Sequence, residues 1–98
     1  MPLLSEHSQD TLTYRIKGRF DFSLHKEFRA AHESSPGIRH YILDLTEAIY
    51  MDSSALGMML LLREWAQERG ADVRIRTKAP IVKKILAMAH FEKLFPID

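Results

Sequence analysis

The stretch that decides the fold is YILDLTEAIYMDSSALGMMLLLREWAQER, residues 41–69. Residues 41–45 form a short, mostly apolar run that is typical of a buried strand, and we expect this strand to end at residues 46–47. The Asp-Ser-Ser sequence at residues 52–54 favours a helix N-cap, because short side-chain oxygens accept hydrogen bonds from free N–H groups of the first turn. The stretch therefore predicts a buried strand followed by a helix that begins beside two hydroxyl groups.

A hydroxyl at a helix start lies in the partial positive charge of the helix dipole, beside backbone N–H groups that suit an anion. Phosphate is the obvious anion for such a position. From the residues alone, Ser53 and Ser54 are equally able to cap the helix or to carry a modification.

The segment MDSSALG at residues 51–57, preceded by Leu-Asp-Leu at residues 43–45, resembles the phosphorylation-site segment of STAS domains, in particular stand-alone anti-sigma factor antagonists. In that family the serine directly after the aspartate is phosphorylated, and this position is Ser53. Ala55 stands where the family often has glycine, which favours the helix and leaves the hydroxyl in place. The resemblance implies phosphorylation at Ser53. The surroundings that it implies for this site are Asp52, Ser54, Gly57 and Asp21.

Two further segments carry the resemblance across nearly the whole chain. Residues 18–21, Gly-Arg-Phe-Asp, resemble the glycine-x-x-aspartate turn of STAS domains, although a turn glycine followed by a helix-capping acid accounts for them equally well. Residues 79–95, with a proline start and paired lysines, are similar to the last helix and strand entry of the family.

The remaining elements follow from hydrophobic periodicity. We expect an edge strand at residues 3–8, a hairpin turn at 9–10, a strand at 11–17, a helix at 23–34, a strand at 73–76 and a helix at 79–89. These elements predict an α/β fold, a STAS-like single domain over residues 1–98. Its mixed, mostly parallel sheet of about four or five strands is packed with about three or four helices.

The helices present distinct faces on a wheel. In the central helix, the predicted core face comprises Ala55, Met58, Met59, Leu62, Trp65 and Ala66. In the last helix, it comprises Ile81, Ile85, Met88 and Ala89. Leu56 and Leu60 lie on the side of Ser53, where they are either buried or form an apolar contact patch.

Composition excludes several classes of function. With 98 residues, no cysteine and a net charge of +1, the chain lacks a thiolate metal site, a disulfide framework and the charge that nucleic acid or an anionic membrane would attract. The five histidines have no pairing at helical spacing, so we expect neither metal nor cofactor. Asp44 at a strand suggests a response-regulator receiver, but the chain is too short for that fold. We expect a soluble cytoplasmic protein.

The resemblance implies a switch without catalytic activity. The unphosphorylated form would bind a serine kinase that doubles as an anti-sigma factor, phosphorylation of Ser53 would release it, and a PP2C-type phosphatase would restore binding. We place the partner surface on Phe20, Asp21, Ser53, Leu56 and Leu60. The alternatives are a small nucleotide- or anion-binding enzyme that uses the helix start at Ser53, and a passive scaffold whose serine is never modified.

Overall fold

The computed structural model describes residues 2–98, which form a four-stranded sheet and three α-helices. Within the sheet the strands lie in the order β1-β2-β3-β4, with β1 antiparallel to β2 and the other pairs parallel. The expected α/β fold with a mixed, mostly parallel sheet is confirmed. The strands are β1 (Leu3–Ser8), β2 (Thr11–Phe20), β3 (His40–Met51) and β4 (Asp72–Thr77). The helices are α1 (His25–Glu33), α2 (Ser53–Glu68) and α3 (Pro80–Met88), and short 3-10 helices cover Phe22–Leu24 and Phe91–Lys93.

The predicted hairpin between β1 and β2 is present. Its turn places Gln9 at a φ of 53°, a left-handed conformation that turns the chain back on itself. In β2 the inward residues Leu12, Tyr14 and Ile16 are buried, as their alternation predicts.

The central strand is longer than predicted: β3 continues through residues 46–47 and ends at Met51. Its pairing with β2 shifts twice, first between Arg15 and Lys17 and again between Gly18 and Arg19, and each shift adds one residue on the β3 side. Bulges of this kind break the alternation of inward and outward side chains. The prediction of a strand end at residues 46–47 was wrong because the first bulge interrupts the alternation there.

Residues 18–21 do not form the expected turn, since β2 runs through Phe20. Gly18 pairs with Ala48 inside the sheet, directly before the second shift in register, and has a φ of 79°. The glycine therefore provides a backbone conformation within a strand that other residues rarely adopt.

Helix α2 packs on the sheet through the predicted face. Its buried residues are Ala55, Met58, Met59, Leu62 and Ala66, and Trp65 is partly buried against them. The helix is followed by Gly70 with a φ of 69°, the left-handed conformation in which glycine commonly ends a helix.

The face that α3 turns to the core shares only Ile85 and the adjoining Ala89 with the predicted face. Val82 and Leu86 are buried, Ile85 is partly buried, and Ile81 and Met88 are exposed. Apolar residues occupy most of the circumference of this helix, so their spacing did not determine which side faces the sheet.

The outer face of the sheet carries charged side chains. Arg15 on β2 contacts Glu6 on β1 and donates to the Asp44 carboxylate on β3 at 2.8 Å, so it links three strands. Burial opposes ionisation of Asp44, but hydrogen bonds from Thr46 and the charge of Arg15 outweigh it and lower the pKa of this carboxyl. Asp44 is therefore bound into the sheet by Arg15 and Thr46.

Candidate functional site

The candidate site lies where β2 and β3 end side by side. The backbone N–H of Asp52, directly after β3, donates to the carbonyl of Phe20, the last residue of β2, at 3.3 Å. This contact brings Asp21 and the start of α2 together, as we expected from the topology of the family. The site therefore combines two segments that are about thirty residues apart in the chain.

Asp52 is the N-cap of α2. Its carboxylate accepts hydrogen bonds from the backbone N–H of Ala55 at 3.0 Å and from Ser54 Oγ at 2.6 Å. The hydrogen bond from Ser54 is the main reason that the pKa of Asp52 lies below its ordinary value. The carboxylate thus serves the free N–H groups of the first turn, and neither serine hydroxyl is the cap.

Ser53 is the first residue of α2 and is exposed. Over residues 2–98, its hydroxyl makes no hydrogen bond, whereas the Ser54 hydroxyl is part-buried and donates to Asp52. The two neighbouring serines therefore differ in access and in hydrogen bonding. Of these two serines, only Ser53 has a free, solvent-facing hydroxyl.

Charged groups lie near Asp52 at the start of α2, and they include Asp21 and Arg19. Asp21 accepts hydrogen bonds from the backbone N–H of Ser23 at 3.0 Å and from its hydroxyl, and these bonds lower the pKa of Asp21. The guanidinium of Arg19 lies 3.7 Å from Asp21 and 4.8 Å from the centre of the Tyr50 ring. The site therefore has two ionised carboxylates and one cation that is already in contact with one of them.

The residues of the expected partner surface are only partly brought together. Phe20 is fully buried and its ring lies 5.7 Å from that of Phe28, so its assignment to the surface was wrong. Its side chain points inward because it ends β2 on the core face of the sheet. Leu56 is partly buried against the core, and Leu60 is 38% exposed.

Sequence reasoning missed two exposed apolar residues beside the site. Phe22, directly after Asp21, is 58% exposed, and Leu61 on α2 is 65% exposed. Leu61 lies between Leu60 and the buried Leu62, so its exposure cannot be recognised from this unbroken apolar run. Its angular distance from the core face of the helix is the signal that distinguishes it.

The histidines do not form a metal site in the described part of the chain, where no group of three His, Cys, Asp or Glu side chains is placed to hold an ion. His32 is buried, which lowers its pKa, and its Nδ1 lies 2.9 Å from the hydroxyl of Tyr14. Across residues 2–98, the helices are too short or too polar to cross a lipid bilayer.

The fold and the serine-bearing helix start describe a small α/β domain of a known kind. Residues 3–98 match the family model of the STAS domain, and the chain belongs to this family. A STAS-domain containing protein of Pseudomonas aeruginosa (strain UCBPP-PA14) is 49% identical over 90 residues, which cover 89% of this chain and 87% of the relative. An anti-sigma F factor antagonist of Paenibacillus polymyxa is 27% identical over 95 residues, which cover 94% of this chain and 81% of that protein.

Solved structures show the same fold at lower identity. The anti-sigma factor antagonist SpoIIAA in its unphosphorylated form superposes with a TM-score of 0.79 at 17% identity, covering 98% of this chain and 86% of SpoIIAA. A putative anti-sigma factor antagonist from Thermotoga maritima superposes with a TM-score of 0.84 at 13% identity, covering 97% and 84% of the two chains. At these identities the likeness concerns the fold alone.

Proposed function

We propose that this STAS domain is a protein-binding switch controlled by phosphorylation of Ser53. Its unphosphorylated form binds a serine kinase that acts as an anti-sigma factor, and phosphorylation releases that partner. A PP2C-type phosphatase restores the binding form, and the chain itself has no catalytic activity. The observation that carries the proposal is the free, exposed hydroxyl of Ser53 at the first position of α2.

The relatives support the class of partner. A kinase that binds and modifies one surface needs exposed apolar contact area, and Phe22 and Leu60 supply it on the two segments that carry Asp21 and Ser53. The anti-sigma factor antagonists among the similar proteins act on anti-sigma factors by their names, and the binding partner of this chain follows from that likeness.

The charges around Ser53 support a mechanism of electrostatic release. A phosphoryl group adds about −1.5 to −2 charges at pH 7, beside the carboxylates of Asp21 and Asp52. The helix dipole favours an anion at this position by roughly 0.3 to 2 kcal/mol, so the fold tolerates the modification. A docked partner that faces these carboxylates meets a cluster of like charge, which costs several kcal/mol.

The magnitude required of the switch is modest. A shift from 99% bound to 1% bound takes about 5.5 kcal/mol of difference in binding free energy between the two forms. Two added charges and the loss of apolar contact around Ser53 are of this order. No large rearrangement of the fold is needed.

A capped helix start favours this function over anion-binding catalysis. The Asp52 carboxylate accepts the N–H of Ala55, and its negative charge repels a free phosphate or nucleotide. A phosphoryl group on Ser53 meets the same repulsion, but its covalent bond to Oγ holds it in place, so the site needs no affinity for a free anion.

The first prediction compares the two serines. After incubation with ATP and a serine kinase of the anti-sigma type, the intact mass of the wild type should increase by one phosphoryl group. Ser53→Ala should abolish this increase and keep partner binding, because it removes only the free hydroxyl. Ser54→Ala is the matched control and should still be phosphorylated.

Tandem mass spectrometry identifies the modified residue directly. A phosphate on Ser54 or Ser23, or full labelling of the Ser53→Ala variant, would contradict the proposal.

A further inference from the structure

A groove runs between α1 and α2, away from the hydroxyl of Ser53. It encloses about 490 Å³, and its wall on the side of α1 contains Phe22, His25, Arg29 and Glu33. Its wall on the side of α2 contains Leu61, Glu64 and Glu68. We call this feature the α1–α2 groove.

The floor of the groove is apolar and already well packed. Phe28 and Met58 are buried there. Trp65 is partly buried, and the centre of its ring lies 4.9 Å from that of His32. Trp65 is also held by a hydrogen bond from its ring N–H to the hydroxyl of Tyr41 at 3.1 Å. Such a floor is rigid, so binding to it costs little ordering of side chains.

The end of the groove nearest Ser53 has two exposed apolar side chains, one on each wall. Phe22 is 58% exposed and Leu61 is 65% exposed. The Phe22 ring stacks on that of His25 at 4.0 Å between centres, which holds it in place although it faces solvent. A preorganised aromatic ring opposite a leucine is the kind of anchor that dominates protein interfaces.

The other end of the groove is acidic. Arg29, which lines this end, pairs with Glu33 at 2.9 Å. The neighbouring Arg69 lies 3.5 Å from Glu68 and 3.4 Å from the centre of the Trp65 ring. Glu64 has no cation within ion-pair distance among residues 2–98. Three glutamates and one arginine line the groove, and the neighbouring Arg69 offsets part of the charge of Glu68, so this end stays net negative and favours a cationic ligand.

Length and shape identify the class of ligand. From Met58 to Glu68 the α2 wall comprises eleven residues, and the ten steps between them cover about 15 Å at 1.5 Å per step. This matches about three turns of helix lying along the groove. An apolar floor with one charged end is the arrangement that binds one face of an amphipathic helix.

We propose that the α1–α2 groove binds a basic amphipathic helix of the partner protein. The apolar stripe of this helix packs between Phe22 and Leu61, and its lysine or arginine side chains face Glu64 and Glu68. The groove begins at Phe22, directly after Asp21, so one partner can contact it and Ser53 together. The inference rests on the proposed function only in assigning this helix to the partner that Ser53 controls.

The test uses a synthetic helical peptide of about three turns, cross-linked to hold the helix, with leucines on one face and lysines on the other. A second peptide has glutamate in place of each lysine. Neither contains tryptophan, so Trp65, the one tryptophan of the chain, reports binding through its fluorescence. We expect the basic peptide to bind at least about tenfold more tightly than the acidic one.

Matched variants locate the site. Leu61→Ala and Phe22→Ala should each weaken binding of the basic peptide by about tenfold, as the loss of an interface anchor does. Leu4→Ala is the control, because Leu4 is also exposed, at 55%, but lies on β1. Glu64→Lys should weaken binding of the basic peptide, whereas Glu47→Lys on β3 should not.

Equal affinity for both peptides would overturn the proposal, as would equal affinity of the Leu61→Ala and Leu4→Ala variants. Analytical ultracentrifugation tests whether a second copy of the chain occupies the groove instead. Self-association that Leu61→Ala abolishes, in a protein that does not bind the peptide, would also overturn the proposal. The Ser53→Ala variant separates this inference from the proposed function, because it should bind the peptide like the wild type. If the peptide binds but Ser53 is not phosphorylated, the groove is a binding site and the proposed switch is refuted. If Ser53 is phosphorylated but the peptide does not bind, the switch stands and the groove proposal is refuted.

Discussion

Three neighbouring residues at the start of α2 differ in their hydrogen bonds. Asp52 caps the helix, Ser54 donates to Asp52, and Ser53 makes no hydrogen bond through its hydroxyl within residues 2–98. The residue types predicted the helix start, but they could not show which of residues 52–54 is the cap, because aspartate and serine are both good caps. The assignment of phosphorylation to Ser53 came from resemblance and stays a prediction.

The lowered pKa of Asp52 makes the stability of the fold depend on pH. A carboxyl whose pKa is lower in the folded chain stabilises it above the unfolded pKa of about 3.9, and this contribution is lost as pH falls through the folded value. Asp52→Asn keeps a good cap and cannot ionise. Between pH values of about 5 and about 3, the free energy of unfolding should therefore fall more for the wild type than for this variant. Urea titrations at both pH values measure the difference, and an equal fall would remove Asp52 as its source.

Among the elements, β3 was the least predictable. Residues 41–45 alternate as a strand should, and the two bulges after them shift the inward positions to Ala48 and Met51. Bulges depend on the pairing between two strands, which no pattern within one strand contains. Helix α2 was predicted well because its core residues recur on one face over several turns.

Gly18 and Gly57 form a pair for testing the second bulge. Neither has an atom within 4 Å of an added Cβ, but only Gly18 has a positive φ, of 79°. Gly18→Ala should therefore destabilise the fold by about 1 to 2 kcal/mol through backbone strain. Gly57→Ala should stabilise it by roughly 0.5 to 1 kcal/mol, because glycine is unfavourable within a helix. Thermal unfolding of both variants measures these effects, and a loss of stability in both would point to packing instead of backbone conformation.

Leu60 and Leu62 on α2 separate binding from folding. Leu60 is 38% exposed on the side of Ser53, and Leu62 is fully buried. Leu60→Ala should weaken partner binding by more than about 1 kcal/mol and leave the fold intact. Leu62→Ala should instead cost about 2 to 5 kcal/mol of unfolding free energy. Calorimetric titration and urea unfolding of both variants test this contrast, and a large loss of stability with unchanged affinity in Leu60→Ala would assign Leu60 to the core.

At the scale of the whole molecule, the candidate site occupies one end and the α1–α2 groove extends away from it along the helices. The sequence predicted the order of elements along the chain from periodicity, and it predicted a mixed, mostly parallel sheet because strand–helix–strand connections return parallel. It did not predict the groove, whose walls come from residues far apart in the chain and depend on how α1 and α2 are spaced. The burial of Phe20 was missed because the sequence predicted a turn at residues 18–21, whereas β2 continues to Phe20 and places its side chain on the core face.

The contact of Arg15 with Glu6 and Asp44 has a consequence for the order in which the fold opens. Leu3 is the one buried residue of β1, so the strand is held mainly by its ladder to β2 and by this bridge. Segments with few buried apolar contacts open locally at low cost while the rest stays folded. We therefore expect β1 to detach first, which would leave β2 as an unprotected edge. By holding β1 in place, Arg15 therefore opposes pairing between the sheets of neighbouring molecules at the β1 edge, opposite β4.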